Sequence, residues 1–74
     1  MRNVYISLPT VDIVQRFVAQ VSVLEGDFDL VSGEYIIDAR SLMGIFSLDR
    51  SKPIRLAVQK DTEKNMKALA PYQV

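Results

Sequence analysis

A chain of 74 residues holds one domain, spanning 1–74, near the size at which a single core only just stabilises a fold. It contains no cysteine and no histidine, which removes disulfides, cysteine-held metals, the commonest general base and the imidazole that carries phosphoryl groups. Nine basic and nine acidic residues cancel without a run of either sign, so no basic stripe for nucleic acid is visible, and the 49% apolar content leaves packing to supply stability.

No segment approaches the roughly 18 consecutive apolar residues of a membrane span, and the first residues lack the pattern of a secretion signal. The expectation is a cytoplasmic protein with no membrane partner, no nucleic-acid partner, no metal and no cofactor. From Arg2, Val4, Ile6 and Leu8 alternate with Asn3, Tyr5 and Ser7, the period of a half-buried strand, which Pro9 ends. Thr10 stands where a helix N-cap belongs, and Asp12 suits the positive end of the helix dipole. The helix is expected from about Val11 to Val23. Val14, Phe17, Val18 and Val21 form its buried face, with Val11 and Leu24 at the margins and Ile13 near the edge. Val23 points away from that stripe and reads as fraying before the Glu25-Gly26 stop signal.

A second strand covers Asp27 to Val31, Ser32-Gly33 forms a tight turn, and a third strand returns over Glu34 to Asp38. Ser41 then opens a short helix to Leu48, a stretch that makes only about two turns. Leu42, Ile45 and Phe46 fall on one side of it, whereas Met43 lies about 100° from Leu42 around the axis. Part of this apolar surface is therefore expected to stay exposed, as at a partner contact. After a polar connection from Asp49 to Pro53, Ile54, Leu56 and Val58 alternate along a fourth strand. Asp61 or Thr62 caps a last helix carrying Met66, Leu69 and Ala70, and Pro71 ends it near Ala70. This order predicts an α+β fold, an antiparallel sheet with helices gathered on one face.

The run Arg40-Ser41-Leu42-Met43-Gly44-Ile45-Phe46-Ser47-Leu48 resembles the regulatory-serine helix of HPr, the phosphocarrier of the bacterial sugar phosphotransferase system. Gram-positive members carry a Lys-Ser-Ile-Met-Gly-Val-Met-Ser-Leu type of segment there, and the order of elements is similar along nearly the whole chain. The resemblance implies an open-faced β-sandwich, β-α-β-β-α-β-α, with a four-stranded antiparallel sheet in the order 1-4-2-3 and three helices on one side. It also implies that Leu42, Met43 and Phe46 lie where the family docks its partners, and the expected partner-binding set is Arg40, Leu42, Met43, Phe46, Ile13 and Asp12.

The first functional site departs from that family. Aligning on Phe17-Val18 puts Thr10 at the phosphohistidine position, Asp12 at that of the family's arginine and Ile13 at that of its proline. A threonine ester is a stable end product rather than an activated phosphoryl donor, and Asp12 would add negative charge beside a dianion. Thr10 therefore reads as an N-cap, and relay through phosphohistidine is chemically excluded. At Ser41 the family pattern is kept. Its residue type and position fit a helix cap, and a phosphate there would meet the free N–H groups of the helix start, with Arg40 as a neighbouring counter-ion.

The leading expectation is an HPr-like protein that has lost carrier function and binds proteins under the control of Ser41 phosphorylation. Its partners would be an HPr kinase/phosphorylase, a transcriptional regulator or a phosphotransferase-system component. The alternatives are a constitutive interaction module and a small-molecule-binding α+β domain. An enzyme is not expected. Asp12, Asp27, Asp29 and Asp38 occupy positions typical of solvated surface, and no nucleophile–base pair or phosphate-cradling glycine loop accompanies them.

Overall fold

Alternating side chains produce the four strands of the computed structural model, which describes residues 1–74. Val4 and Ile6 of β1 (Arg2–Ile6), Phe28 and Leu30 of β2 (Phe28–Ser32), and Ile54, Leu56 and Val58 of β4 (Ile54–Val58) all point into one core. With β3 (Tyr35–Asp38) they form one antiparallel sheet in the order β1-β4-β2-β3. The register lines Val4, Leu56, Leu30 and Ile37 across the core side, and Tyr5, Arg55, Val31 and Ile36 across the opposite, open side.

Helices cover the core side. Val14, Phe17 and Val21 of α1 (Val11–Val21) are fully buried, as are Ile45 of α2 (Leu42–Phe46) and Leu69 of α3 (Glu63–Leu69). Each such side chain contributes about 1.5–3 kcal/mol by leaving water. The architecture is thus the α+β arrangement that the element order predicts, with three α-helices on a four-stranded antiparallel sheet.

Several boundaries move. β1 stops at Ile6 because the backbone of the next residues bonds elsewhere, the Ser7 N–H to the Tyr72 carbonyl at 2.8 Å. Leu8 nevertheless stays buried. α1 ends at Val21 rather than Val23, where the Ser22 hydroxyl donates back to the Val18 carbonyl at 2.6 Å. Gly26, at φ 87, then turns the chain in a conformation that side chains rarely adopt. The hairpin loop is Gly33-Glu34 rather than Ser32-Gly33, since Ser32 pairs with Tyr35. Gly33 at φ 59 followed by a residue of negative φ fits the II′ type, whose twist matches that of its strands.

The cap of α3 is Thr62, whose Oγ1 accepts from the Asn65 N–H at 3.2 Å. Asn65 is the one buried polar residue, and its Nδ2 donates to the carbonyls of Glu25 and Lys60 at 3.0 and 2.9 Å. Pro71 does not simply end the chain's last helix: it sits inside a 3-10 turn, Ala70–Tyr72, that continues it. That turn sets Tyr72 edge-on to Phe17 at 5.3 Å and leads Gln73 into a bridge with Ile6. No helix is long and apolar enough to cross a membrane.

Candidate functional site

The start of α1 is built around Thr10. Extended backbone at φ −123, ψ 158 lets its Oγ1 accept from the Ile13 N–H at 3.1 Å, while its carbonyl accepts from Val14 at 3.0 Å. Both bonds satisfy orphan groups of the first turn. The Asp12 carboxylate reaches Arg16 Nε at 3.2 Å on an exposed helix face, and Ile13 lies half-buried against the core. Thr10, Asp12 and Ile13 are therefore occupied in starting and fastening the helix.

The cation that sequence reasoning missed at this end is Arg50. The α2–β4 loop carries it across to the Leu8 carbonyl, where its Nη1 donates at 3.1 Å, and stacks its guanidinium over Phe46 at 5.4 Å. Its Nε is buried without a partner. A hollow between Ser7, Pro9 and this loop is lined by Arg50 and Lys52 together with Asp49 and Ser51. Asp49 itself is held below the usual carboxylate range by the hydroxyl and backbone N–H of Ser51, which donate to its Oδ1 at 2.6 and 3.0 Å, with a smaller effect from Lys52. The stacking of Arg50 on Phe46 is local, but the Leu8 carbonyl that it ties down lies 42 residues away and nothing in the sequence marks that bond.

The start of α2 uses the same device. Ser41 at φ −92, ψ 96 accepts at Oγ from the Gly44 N–H at 3.2 Å. The preceding turn is pinned by Asp38, whose carbonyl takes the Ser41 N–H at 2.9 Å and whose Oδ1 takes the Arg40 N–H at 2.8 Å. Gly44 is required by close approach: a Cβ would lie 2.7 Å from Ile37 Cγ2 and 2.9 Å from Ser41 Oγ. The helix is thus pressed onto β3. Ile45 is buried, Leu42 and Phe46 are half-buried against the core, and Met43 projects with 79% of its surface exposed.

Arg40 differs from the expected counter-ion. Its Nη2 donates to the carbonyls of Leu24 and Gly26 at 3.0 and 2.8 Å, and its guanidinium lies 5.4 Å from the Phe28 ring centroid. It makes no hydrogen bond to Ser41 and instead ties the start of α2 to the α1–β2 connection. Chemically, then, the α2 end offers an accessible hydroxyl at a helix start and one large exposed apolar side chain between two half-buried ones. Comparison with known protein families, with curated proteins and with solved structures found no match.

Proposed function

We propose that this chain is an HPr-like protein-binding module that docks through α2 and does not relay phosphoryl groups through histidine. Leu42, Met43 and Phe46 are its contact residues, Ile13 and Asp12 lie on the neighbouring helix start, and Ser41 is the switch, phosphorylated by a kinase of the HPr kinase type. The observation that carries the reading is Met43, 79% exposed on a helix whose Ile45 is buried and whose Leu42 and Phe46 are half-buried. A solvated methionine adds nothing to the core, and its flexible thioether suits contact with another protein. The role is regulatory, within or beside carbohydrate control, and non-enzymatic.

The decisive experiment incubates the protein with an HPr kinase and ATP. Phosphorylation of the parent chain and none of Ser41→Ala supports the switch; a phosphate that survives Ser41→Ala overturns it. In the same assay Met43→Asp should leave stability within about 0.5 kcal/mol, as expected of an exposed site, and weaken kinase binding. Loss of folding would instead place Met43 in the core.

A second reading keeps the docking face and drops the phosphate. It is favoured by Arg40, whose guanidinium is committed to the Leu24 and Gly26 carbonyls rather than turned to Ser41. Under this reading kinase treatment adds nothing, and Met43→Asp still abolishes capture of a partner.

A further inference from the structure

The sheet has two edges, and the C-terminal segment covers part of one, at Tyr5 to Ser7, where β1 ends. Along β1 the Ser7 N–H donates to Tyr72 at 2.8 Å, the Val74 N–H donates to Tyr5 at 3.1 Å, and Ile6 bridges Gln73. β3 has a neighbour on one side only. The hairpin fixes which of its groups are free. The pair flanking a two-residue loop is hydrogen-bonded, here Ser32 with Tyr35, and four residues on the Ala39 N–H reaches the Phe28 carbonyl at 2.8 Å. Alternation therefore turns Tyr35, Ile37 and Ala39 toward β2. It points the N–H and C=O of Ile36, and the N–H of Asp38, away from the sheet.

Natural proteins guard such an edge by keeping it short or with charge, proline or a bulge. Tyr35–Asp38 is short, at 4 residues, but has no lysine, proline or bulge, and Tyr35 and Ile36 are 70% and 71% exposed on opposite faces of the strand. Its ends are acidic instead. Glu34 and Asp38 are both exposed, and Asp29 lies directly opposite Asp38 on the open side of the sheet. The one cation adjoining the strand in sequence, Arg40, is turned to the Leu24 and Gly26 carbonyls.

We propose that the β3 edge receives an extended segment of a partner protein by strand addition. That segment is apolar at its centre and carries Lys or Arg opposite Glu34 and Asp38. The outward groups of Ile36 and Asp38 supply the ladder, and the acidic ends supply the choice of partner. A second copy of this chain is the wrong occupant. Pairing the whole strand with itself, antiparallel, sets Glu34 against Asp38 at both ends, and like charges directly opposite each other repel. This edge adjoins α2 but shares none of its proposed contact residues, so the two proposals fail independently.

The test displays a library of short segments with Val, Ile or Thr at the centre and random flanks, selected on the full chain. Lys or Arg should be enriched at both flanks, and the selected peptide should shift the Ile36 and Asp38 amide resonances most. Ile36→Pro removes an N–H that points away from the sheet, so it spares the hairpin ladder and should weaken that peptide about tenfold. Glu34→Lys, in the exposed turn, should weaken it about threefold and strengthen its acid-flanked counterpart. If Ile36→Pro unfolds the chain, Glu34→Lys decides alone. No enrichment of basic flanks, shifts mapping away from β3, or a dimer through β3 in sedimentation would overturn the proposal.

Discussion

Thr10 and Ser41 close two helix starts with one bond type, a hydroxyl oxygen accepting an N–H three residues on, at 3.1 and 3.2 Å. The helices behind the two caps differ. Behind Thr10 stand 11 helical residues that bury Val14, Phe17 and Val21, so α1 is held by its own stripe. Behind Ser41 stand 5, of which only Ile45 is buried, so α2 is held by its cap and by the strand beneath it. The residue receiving the cap is Ile13 in one case and Gly44 in the other. A helix that owes little to its own side chains is free to turn one of them outward, and Met43 is the result.

The largest test of this contrast is Gly44→Ala. Its Cβ would meet Ile37 and Ser41, both closer than side chains tolerate, so urea unfolding should show a loss of about 1–3 kcal/mol. A neutral outcome would mean that α2 is not pressed onto β3. Next come the caps themselves. Thr10→Ala and Ser41→Ala should each cost about 1 kcal/mol, yet hydrogen exchange should separate them. Removing Ser41 should release the amides of Gly44 to Leu48 by local opening, whereas removing Thr10 should lower protection across the whole molecule. Matching exchange patterns would erase the distinction. Smallest is Asp12→Ala, which deletes the exposed ion pair to Arg16. The expected loss is about 0.3–0.5 kcal/mol at low salt, and it should fade in 1 M salt. A loss several times larger would give Asp12 a structural weight that its exposed pair with Arg16 does not indicate.

Local signals were readable in the sequence where one residue type decides the outcome. Hydroxyls ahead of apolar runs marked the caps Thr10 and Ser41, and left Thr62 as one of two choices for α3. Alternation marked the strands, and of the four residues expected on the buried face of α1, Val14, Phe17 and Val21 are core while Val18 is half-buried against it. Some misplaced details are local, such as the α1 end and the hairpin loop, and others depend on partners distant in sequence. Leu8 has the right polarity for a strand, but the backbone beside it is claimed by Tyr72 and Arg50. Pro71 reads as a stop, and docking of Tyr72 on Phe17 makes it part of a further turn. Arg40 sits next to Ser41 in the chain, yet its guanidinium answers to carbonyls 14 and 16 residues back. The exposure of Met43 was legible from its angle on a helical wheel. The reason α2 withstands that exposure, the contact of Gly44 with Ile37, was not.

The position of β4 has a consequence for how the molecule is made. It lies between β1 and β2 and is the last strand in the chain, so Arg2 waits for Val58 and Phe28 waits for the same residue. During synthesis the β2–β3 hairpin and α1 can form early from local contacts, whereas β1 has no strand beside it until β4 emerges, from Ile54 on. Folding is thus gated by arrival of the final strand, at the slower rate typical of distant pairings. Until then the apolar sides of β1 and β2 stay uncovered, which is when this small protein most needs protection from its neighbours.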